Sequence, residues 1–210
     1  MINYIIMVVI IFDLETSGLN PYHNDIIEIG AKVLDSEKTF SCLVRPKSNR
    51  LIDKKITEIT GITNRTLRAE GKQWLQAYND FYNWLVENLE KDEKNAIVSH
   101  NGEAFDFIFL KRILNDLRKN NKLSIDIHDR YELNYIDTLL LSKRLLSDSY
   151  TFKQESLCKY FNIKIDISHR AMNDVLNLEQ LYIKLLDLLE NEKKEEITIE
   201  LVKNYIQLMD

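Results

Sequence analysis

The stretch YIIMVVIIFDLE (4–15) decides the reading of this chain. From Tyr4 to Phe12 the residues are apolar without a break and rich in β-branched side chains, the pattern of a short, fully buried strand. The run is too short to cross a membrane as a helix. It lacks a basic segment before it and a small-residue cleavage site after it, so it does not read as a signal peptide. It leads straight into Asp13 and Glu15. A charge at the end of a buried strand is costly unless it is paired. Two residues apart in extended chain, both carboxylates point to the same side. A strand that aims two carboxylates together needs a cation or a dense set of donors.

Working outward, DIIEIGAKVLD (25–35) and EKTFSCLVRP (37–46) alternate and lie close in sequence, which predicts an antiparallel hairpin beside the first strand. Residues 52–60 read as a short helix closed by Gly61. Residues 71–90 read as a helix with Trp74, Tyr78, Phe81 and Leu85 down one side. A strand at 96–99, a turn at Asn101-Gly102 and a helix to about Asn120 follow. Next come a strand near Tyr135–Ile136, a helix from Asp137, another around Ser156–Phe161, and a long helix from about Arg170 to Glu190. Strands first in a meander, then alternating with helices, predict an α/β fold with a mixed sheet and helices on its faces. At 210 residues one compact domain is expected. Its bounds are set at 1–190, with 191–210 as an amphipathic extension packed on the same domain.

Two further carboxylates stand out. Asp106 heads the helical stripe Leu110, Ile113, Leu117, and Asp174 heads Leu178, Leu181, Leu185, Leu188. His169 lies five residues before Asp174, in a loop able to reach the same place. Taken singly, each has a plain alternative: an Asp in a first helical turn caps amides or favours the dipole, Asp13 pairs with an Arg, and a lone His packs in a core. The combination points to phosphodiester cleavage. Hard oxygen ligands without thiolates select Mg²⁺ or Mn²⁺. Two such ions stabilise the attacking and leaving oxygens of an in-line displacement, and a histidine takes the proton of the attacking water.

The bulk numbers permit this chemistry. Net charge is −5, which argues against non-specific coating of duplexes, though a pair of bound divalent cations reverses the local field. Cys42 and Cys158 lie far apart with no metal-ligand neighbour, which excludes a zinc ribbon and a disulfide framework. A cytoplasmic or other intracellular setting and no membrane partner are therefore expected. Trp74, Tyr78, Phe81 and Trp84 at helical spacing are read as core, not as a base-stacking platform. Lys111-Arg112 and Arg118-Lys119 are read as solvated helix faces. The sequon Asn64-Arg65-Thr66 carries no weight without a secretion signal.

FDLETSGLNP (12–21), HNGEAFDFIFL (100–110) and HRAMND (169–174) resemble the three exonuclease motifs of the DEDDh, or DnaQ-like, 3′→5′ exonucleases. ITGIT (59–63) is similar to a further segment common in that group. The resemblance spans roughly residues 8–185. It implies an RNase H-like fold with a central five-stranded mixed β-sheet flanked by α-helices. It also implies Asp13, Glu15, Asp106 and Asp174 as ligands of two Mg²⁺ or Mn²⁺ ions, and His169 as general base. Contacts to the terminal nucleotide fall on Thr16, Leu19, Ile59 and Phe105. The spacing from His100 to Asp106 is one residue longer than in the proofreading ε-subunit pattern and resembles the TREX-type enzymes, whereas HRAMND is closer to the ε type. Thr60 stands where many relatives carry His. The expected activity is release of nucleoside 5′-monophosphates from the 3′ end of single-stranded or frayed nucleic acid, with DNA ranked ahead of RNA. The alternatives are an exoribonuclease of the same fold, or a proofreading subunit held in a polymerase complex or by self-association.

Overall fold

The computed structural model describes residues 7–48, 50–123, 126–146, 151–165, 169–194 and 196–207. Five strands form one mixed sheet: β1 (Met7–Thr16), β2 (Ile26–Val33), β3 (Thr39–Leu43), β4 (Lys94–Ser99) and β5 (Glu132–Asp137), in the order β3-β2-β1-β4-β5. β1 pairs antiparallel with β2, and β2 with β3, so the first three strands make the expected meander. β4 joins β1 in parallel and β5 joins β4 in parallel. Residues 4–6 of the first predicted strand lie outside the described residues.

Alternation along β1 sorts its side chains to two cores. Ile10, Phe12 and Leu14 face α3 (Trp74–Asn88) and α4 (Asp106–Lys119). Val9 and Ile11 face α8 (Ala171–Lys193), together with α6 (Thr138–Leu145), α7 (Gln154–Tyr160) and α9 (Ile199–Gln207). The period of two then places Asp13 and Glu15 on the α8 side of the sheet. The aromatic stripe of α3 is core: Tyr78 and Phe81 are buried, and Phe81 stacks on Phe12 with centroids 5.4 Å apart. Such a pair contributes ~0.5–1.5 kcal/mol beyond its area burial.

Short helices close the edge near β3. Asp53 caps α1 (Lys54–Thr60) by accepting from the Lys55 amide, and Gly61 ends it in the left-handed conformation at φ 70°. Thr63 caps α2 (Asn64–Glu70) through the Thr66 amide at 3.0 Å. Neither α2 nor the four-residue α5 (Ile127–Arg130) was expected from sequence periodicity, because neither completes the two turns over which a period shows. The sequon residue Asn64 is structural: its side chain accepts from the Ile52 amide at 2.8 Å and donates to the Ile52 carbonyl at 3.2 Å. Cys42 and Cys158 are buried and free. At the far edge, Val202 and Tyr205 of α9 pack into the second core, and Lys203 donates to Asn134 of β5 at 2.7 Å. Among the described residues no helix is long and apolar enough to cross a membrane.

Candidate active site

The carboxyl ends of β1 and β4 meet the first turns of α4 and α8, which brings Asp13, Glu15, Asp106 and Asp174 within electrostatic reach of one another. Asp106 is 3% exposed. One of its oxygens accepts from the Ser99 hydroxyl at 2.8 Å, and the Leu14 amide also supports the carboxylate. Its Oδ1 is buried and, among the described residues, has no hydrogen-bond partner. The stripe below it is core, with Leu110, Ile113 and Leu117 all buried. Asp106 is not the N-cap of α4, which is Phe105 without a side-chain bond, although its carboxylate also accepts from its own amide in the first turn.

Asp174 departs from the expected geometry. The buried face of α8 comprises Ala171, Val175, Leu178, Leu181, Tyr182, Leu185, Leu186 and Leu189. At about 100° per residue, that face is centred to one side of Asp174, and Leu189 replaces the expected Leu188 in it. Asp174 therefore sits at the margin of the core face and is half-buried. It also performs part of a capping role, because its Oδ2 accepts from the His169 amide at 2.7 Å. His169 holds a left-handed backbone, φ 67°, which costs of order 1 kcal/mol for a non-glycine residue. This conformation turns its amide onto Asp174. Ligand atoms of Glu15, His169 and Asp174 lie within 4.8 Å of one another.

Burial pushes the Asp13 carboxyl well above the usual carboxylate range, and Asp106, Asp174, Glu15 and Glu28 push it further by repulsion. Glu15 is pushed up to about 8, first by burial and then by Asp174, Glu28 and Asp106, with Arg170 opposing. Burial also raises Asp106 and Asp174. Four carboxylates that repel one another, with a buried orphan oxygen on Asp106, make a donor set that fits hard divalent cations.

Several residues that hold this arrangement were not singled out by sequence reasoning. Glu28, opposite Glu15 on β2, is 2% exposed. It receives Arg170 through Nε at 3.2 and 3.1 Å and Nη2 at 2.7 Å, and the Ala171 amide at 2.9 Å. Gly30 and Lys32 follow on the same face of β2. The backbone of Ala171 lies against Gly30, and Lys32 pairs with Glu179, both buried. Thus β2 fastens α8 at three successive inward positions. Asp137, at the end of β5, accepts from the Asn101 amide at 2.9 Å and the Glu103 amide at 3.1 Å, fixing the turn ahead of Asp106. His100 is bound to Thr138 at 2.9 Å and to the Phe152 carbonyl at 2.8 Å, so it braces this turn. The signal for Glu28 was present as an acidic residue inside the apolar run IIEIG, but it needs the register to show its partner.

The four predicted nucleotide contacts fall in different settings. Leu19 is 85% exposed and Ile59 43%, so both present apolar surface to solvent. Phe105 is partly buried, with its ring edge against Phe109 at 5.0 Å. Thr16 is buried and donates to the Gly18 carbonyl at 2.8 Å, shaping the loop after β1. Thr60 is internally satisfied, donating to Ile56 and accepting from the Ile62 amide. Arg112 corrects the expectation of a solvated basic face: its guanidinium is spent on Pro21, Asn24 and Asp25. A cavity of about 610 Å³ between β5 and α9 is lined by Leu133, Asn134, Tyr135 and Lys203 and by none of the four carboxylates. The mutual repulsion and the orphan oxygen instead make the carboxylate cluster the candidate site.

Known proteins share this fold and sequence pattern. The chain is 31% identical over 184 residues to a DNA polymerase III PolC-type protein of Caldanaerobacter subterraneus subsp. tengcongensis, covering 86% of this chain and 12% of that protein. It is 28% identical over 189 residues to Exonuclease DPD1, chloroplastic/mitochondrial, of Arabidopsis thaliana, covering 86% of this chain and 56% of the relative. The chain thus spans about an eighth of the PolC-type protein. Among solved structures, E. coli exonuclease I in complex with a dT13 oligonucleotide superposes with a TM-score of 0.68 at 21% identity, covering 87% of this chain and 43% of that one. Cell-death related nuclease 4 gives 0.64 at 19% identity, covering 86% and 64%. These likenesses show the fold, and the sequence profile of the exonuclease family RNase_T matches residues 10–182. The chain belongs to that family, within the DnaQ-like DEDDh group of RNase H-like fold.

Proposed function

We propose that this protein is a divalent-metal-dependent 3′→5′ exonuclease that removes nucleoside 5′-monophosphates from single-stranded or frayed DNA. The observation that carries the reading is the convergence of Asp13, Glu15, Asp106 and Asp174, each held above the usual carboxylate range, around a buried and unpartnered Asp106 oxygen. Two Mg²⁺ or Mn²⁺ ions held by these carboxylates would supply charge neutralisation and polarisation at the scissile phosphate. The protein's own contribution is positioning. β1 presents Asp13 and Glu15, α4 presents Asp106, and α8 presents Asp174. His169 accepts the proton of the attacking water as the new phosphorus–oxygen bond forms and the bond to the 3′ oxygen breaks. Leu19, Ile59 and Phe105 offer apolar surface to the terminal base and sugar, and the Thr16 turn shapes the loop between β1 and Leu19. Similarity to a PolC-type polymerase favours a second reading at the level of context, in which the activity serves proofreading beside a polymerase.

The test is to incubate the protein with 5′-labelled DNA and RNA oligonucleotides in Mg²⁺, Mn²⁺ or EDTA. The expected result is a ladder shortening from the 3′ end, faster on DNA, abolished by EDTA and by Asp106→Ala. Intact oligonucleotides under every metal overturn the proposal.

A further inference from the structure

Outside the carboxylate cluster, a groove of about 460 Å³ runs between the loop that follows β1 and the outward face of α4. Pro21 and Tyr22 form one wall, and Ile108, Lys111, Asn115 and Lys119 form the other. The loop wall is pinned. Arg112 donates to the Pro21 carbonyl at 2.7 Å and the Asn24 carbonyl at 2.5 Å, and reaches Asp25 at 3.2 Å. The Tyr22 amide is held by the Asn20 side chain at 2.9 Å, and the Asn24 side chain accepts from the Asn20 amide at 3.0 Å. Tyr22 nevertheless leaves its side chain in solvent, at 83% exposure. A rigid backbone presenting an open aromatic ring is a stacking plate that loses little entropy when covered.

The charge on the groove is uneven. Asp116 is neutralised by Lys47 at 2.9 Å, and Arg112 by Asp25. Lys111 and Lys119 are exposed and, among the described residues, form no ion pair. Two free ammonium groups in line on a chain of net charge −5 are complementary to phosphates. Lys111, Asn115 and Lys119 stand on successive turns of the helix that begins at Asp106. From Ile108 to Lys119 the face extends about 16 Å along the helix axis. The opposite wall belongs to the loop that also carries Leu19. Both walls of the groove thus belong to elements that also carry candidate site residues, α4 with Asp106 and the loop after β1 with Leu19.

Building on the exonuclease reading, we infer that this groove holds the part of a single-stranded nucleic acid upstream of its terminal nucleotide, with a base stacked on Tyr22 and phosphates on Lys111 and Lys119. An exposed aromatic flanked by unpaired cations is the combination that binds single strands with little sequence preference.

Kinetics on substrates of two lengths test this. The substrates are a ten-nucleotide thymidine oligonucleotide and the p-nitrophenyl ester of thymidine 5′-monophosphate, which is too short to enter the groove. Tyr22→Ala and the double variant Lys111→Gln/Lys119→Gln change exposed side chains and leave the fold intact. On the oligonucleotide each should raise KM by about tenfold with kcat near wild type, and on the ester both constants should stay within about twofold. For the double variant, the slope of log KM against log salt should fall by about 1.4, roughly 0.7 for each single-strand phosphate that a lysine no longer neutralises. Anisotropy of the labelled oligonucleotide in Ca²⁺ reads binding without cleavage. Oligonucleotide binding and KM unchanged in both variants overturn the inference and leave the face to a protein partner. Equal losses on ester and oligonucleotide also overturn it, since the residues would then act on the terminal site. A wild-type protein that binds the oligonucleotide through Tyr22 and the lysines yet cleaves nothing would sink the exonuclease reading and leave the groove standing.

Discussion

Replacing Gly30 by alanine would place a methyl carbon 2.6 Å from the Ala171 carbonyl carbon, 2.8 Å from its oxygen and 2.9 Å from the Met172 nitrogen. All three atoms are backbone in the first turn of α8, so no side chain can rotate aside. Carbon atoms in ordinary contact stand ~3.5–4.0 Å apart, so α8 and β2 must separate by about 1 Å at this point. Gly30 lies opposite Asp13 in the β1–β2 register, and the displaced turn carries Asp174 with His169 just ahead of it. A misplacement of about 1 Å at a catalytic constellation costs on the order of 10²-fold in rate. Overpacking costs ~1–3 kcal/mol, within the ~5–15 kcal/mol that holds a typical domain together. Gly30→Ala should therefore fold, melt somewhat lower, and turn over about a hundredfold more slowly on a 5′-labelled oligonucleotide in Mn²⁺. The rise in melting temperature on adding Mn²⁺ should shrink in parallel. A folded variant with wild-type kcat and an undiminished Mn²⁺ effect would refute the idea that the contact of β2 with α8 sets the geometry of the carboxylates.

Two other outcomes follow from the same surroundings. Glu28→Gln keeps the shape but removes the charge that holds Arg170 and the Ala171 amide, so urea unfolding should show a loss of ~1.5 kcal/mol, Arg170 being partly solvated; Arg170→Lys should destabilise as well, because an ammonium cannot span both Glu28 oxygens, and wild-type stability in both variants would contradict the clasp. For pH, the four carboxylates are raised, and a raised carboxyl contributes stability below its unfolded value that is lost as pH rises through the folded one. With EDTA present the melting temperature should fall as pH rises from the ordinary glutamate value of 4.5 to the folded Glu15 value of about 8. Divalent ions compete with protons for these oxygens, so the increase in melting temperature given by Mn²⁺ should grow over the same range; a flat or shrinking increment argues against the cluster as the binding site.

The sheet was legible because its strands carry their own instructions: the unbroken run before Asp13, and alternation in 25–35 and 37–46. Asp106 was legible because its stripe is core and its carboxylate has nowhere to face but inward. Asp174 was harder. Helical offsets of four, seven and eleven fit two adjacent faces of α8 about equally well, and only packing against β1 and β2 chooses between them. Arg112 was misread because a basic residue on an exposed-looking helix face gives no hint of carbonyls delivered by a loop about 90 residues earlier. The roles of Glu28 and Gly30 were hidden for the same reason. Their partners in α8 are more than 140 residues away, and local periodicity carries no information about register across that span.

That separation also sets a clock. Asp13 is synthesised about 160 residues before Asp174, and at ~5–20 residues per second the interval is on the order of 8–30 s. Throughout it the hairpin of β1 and β2 can pair, but Glu28 waits without Arg170, and Gly30 without the turn that will lie against it. Through the first part of that interval the nascent chain carries only Asp13 and Glu15 of the set, Asp106 joins them later, and the set is complete only when the last long helix arrives. Assembly of the charged cluster is deferred to the stage at which the rest of the fold is present to restrain its repulsion.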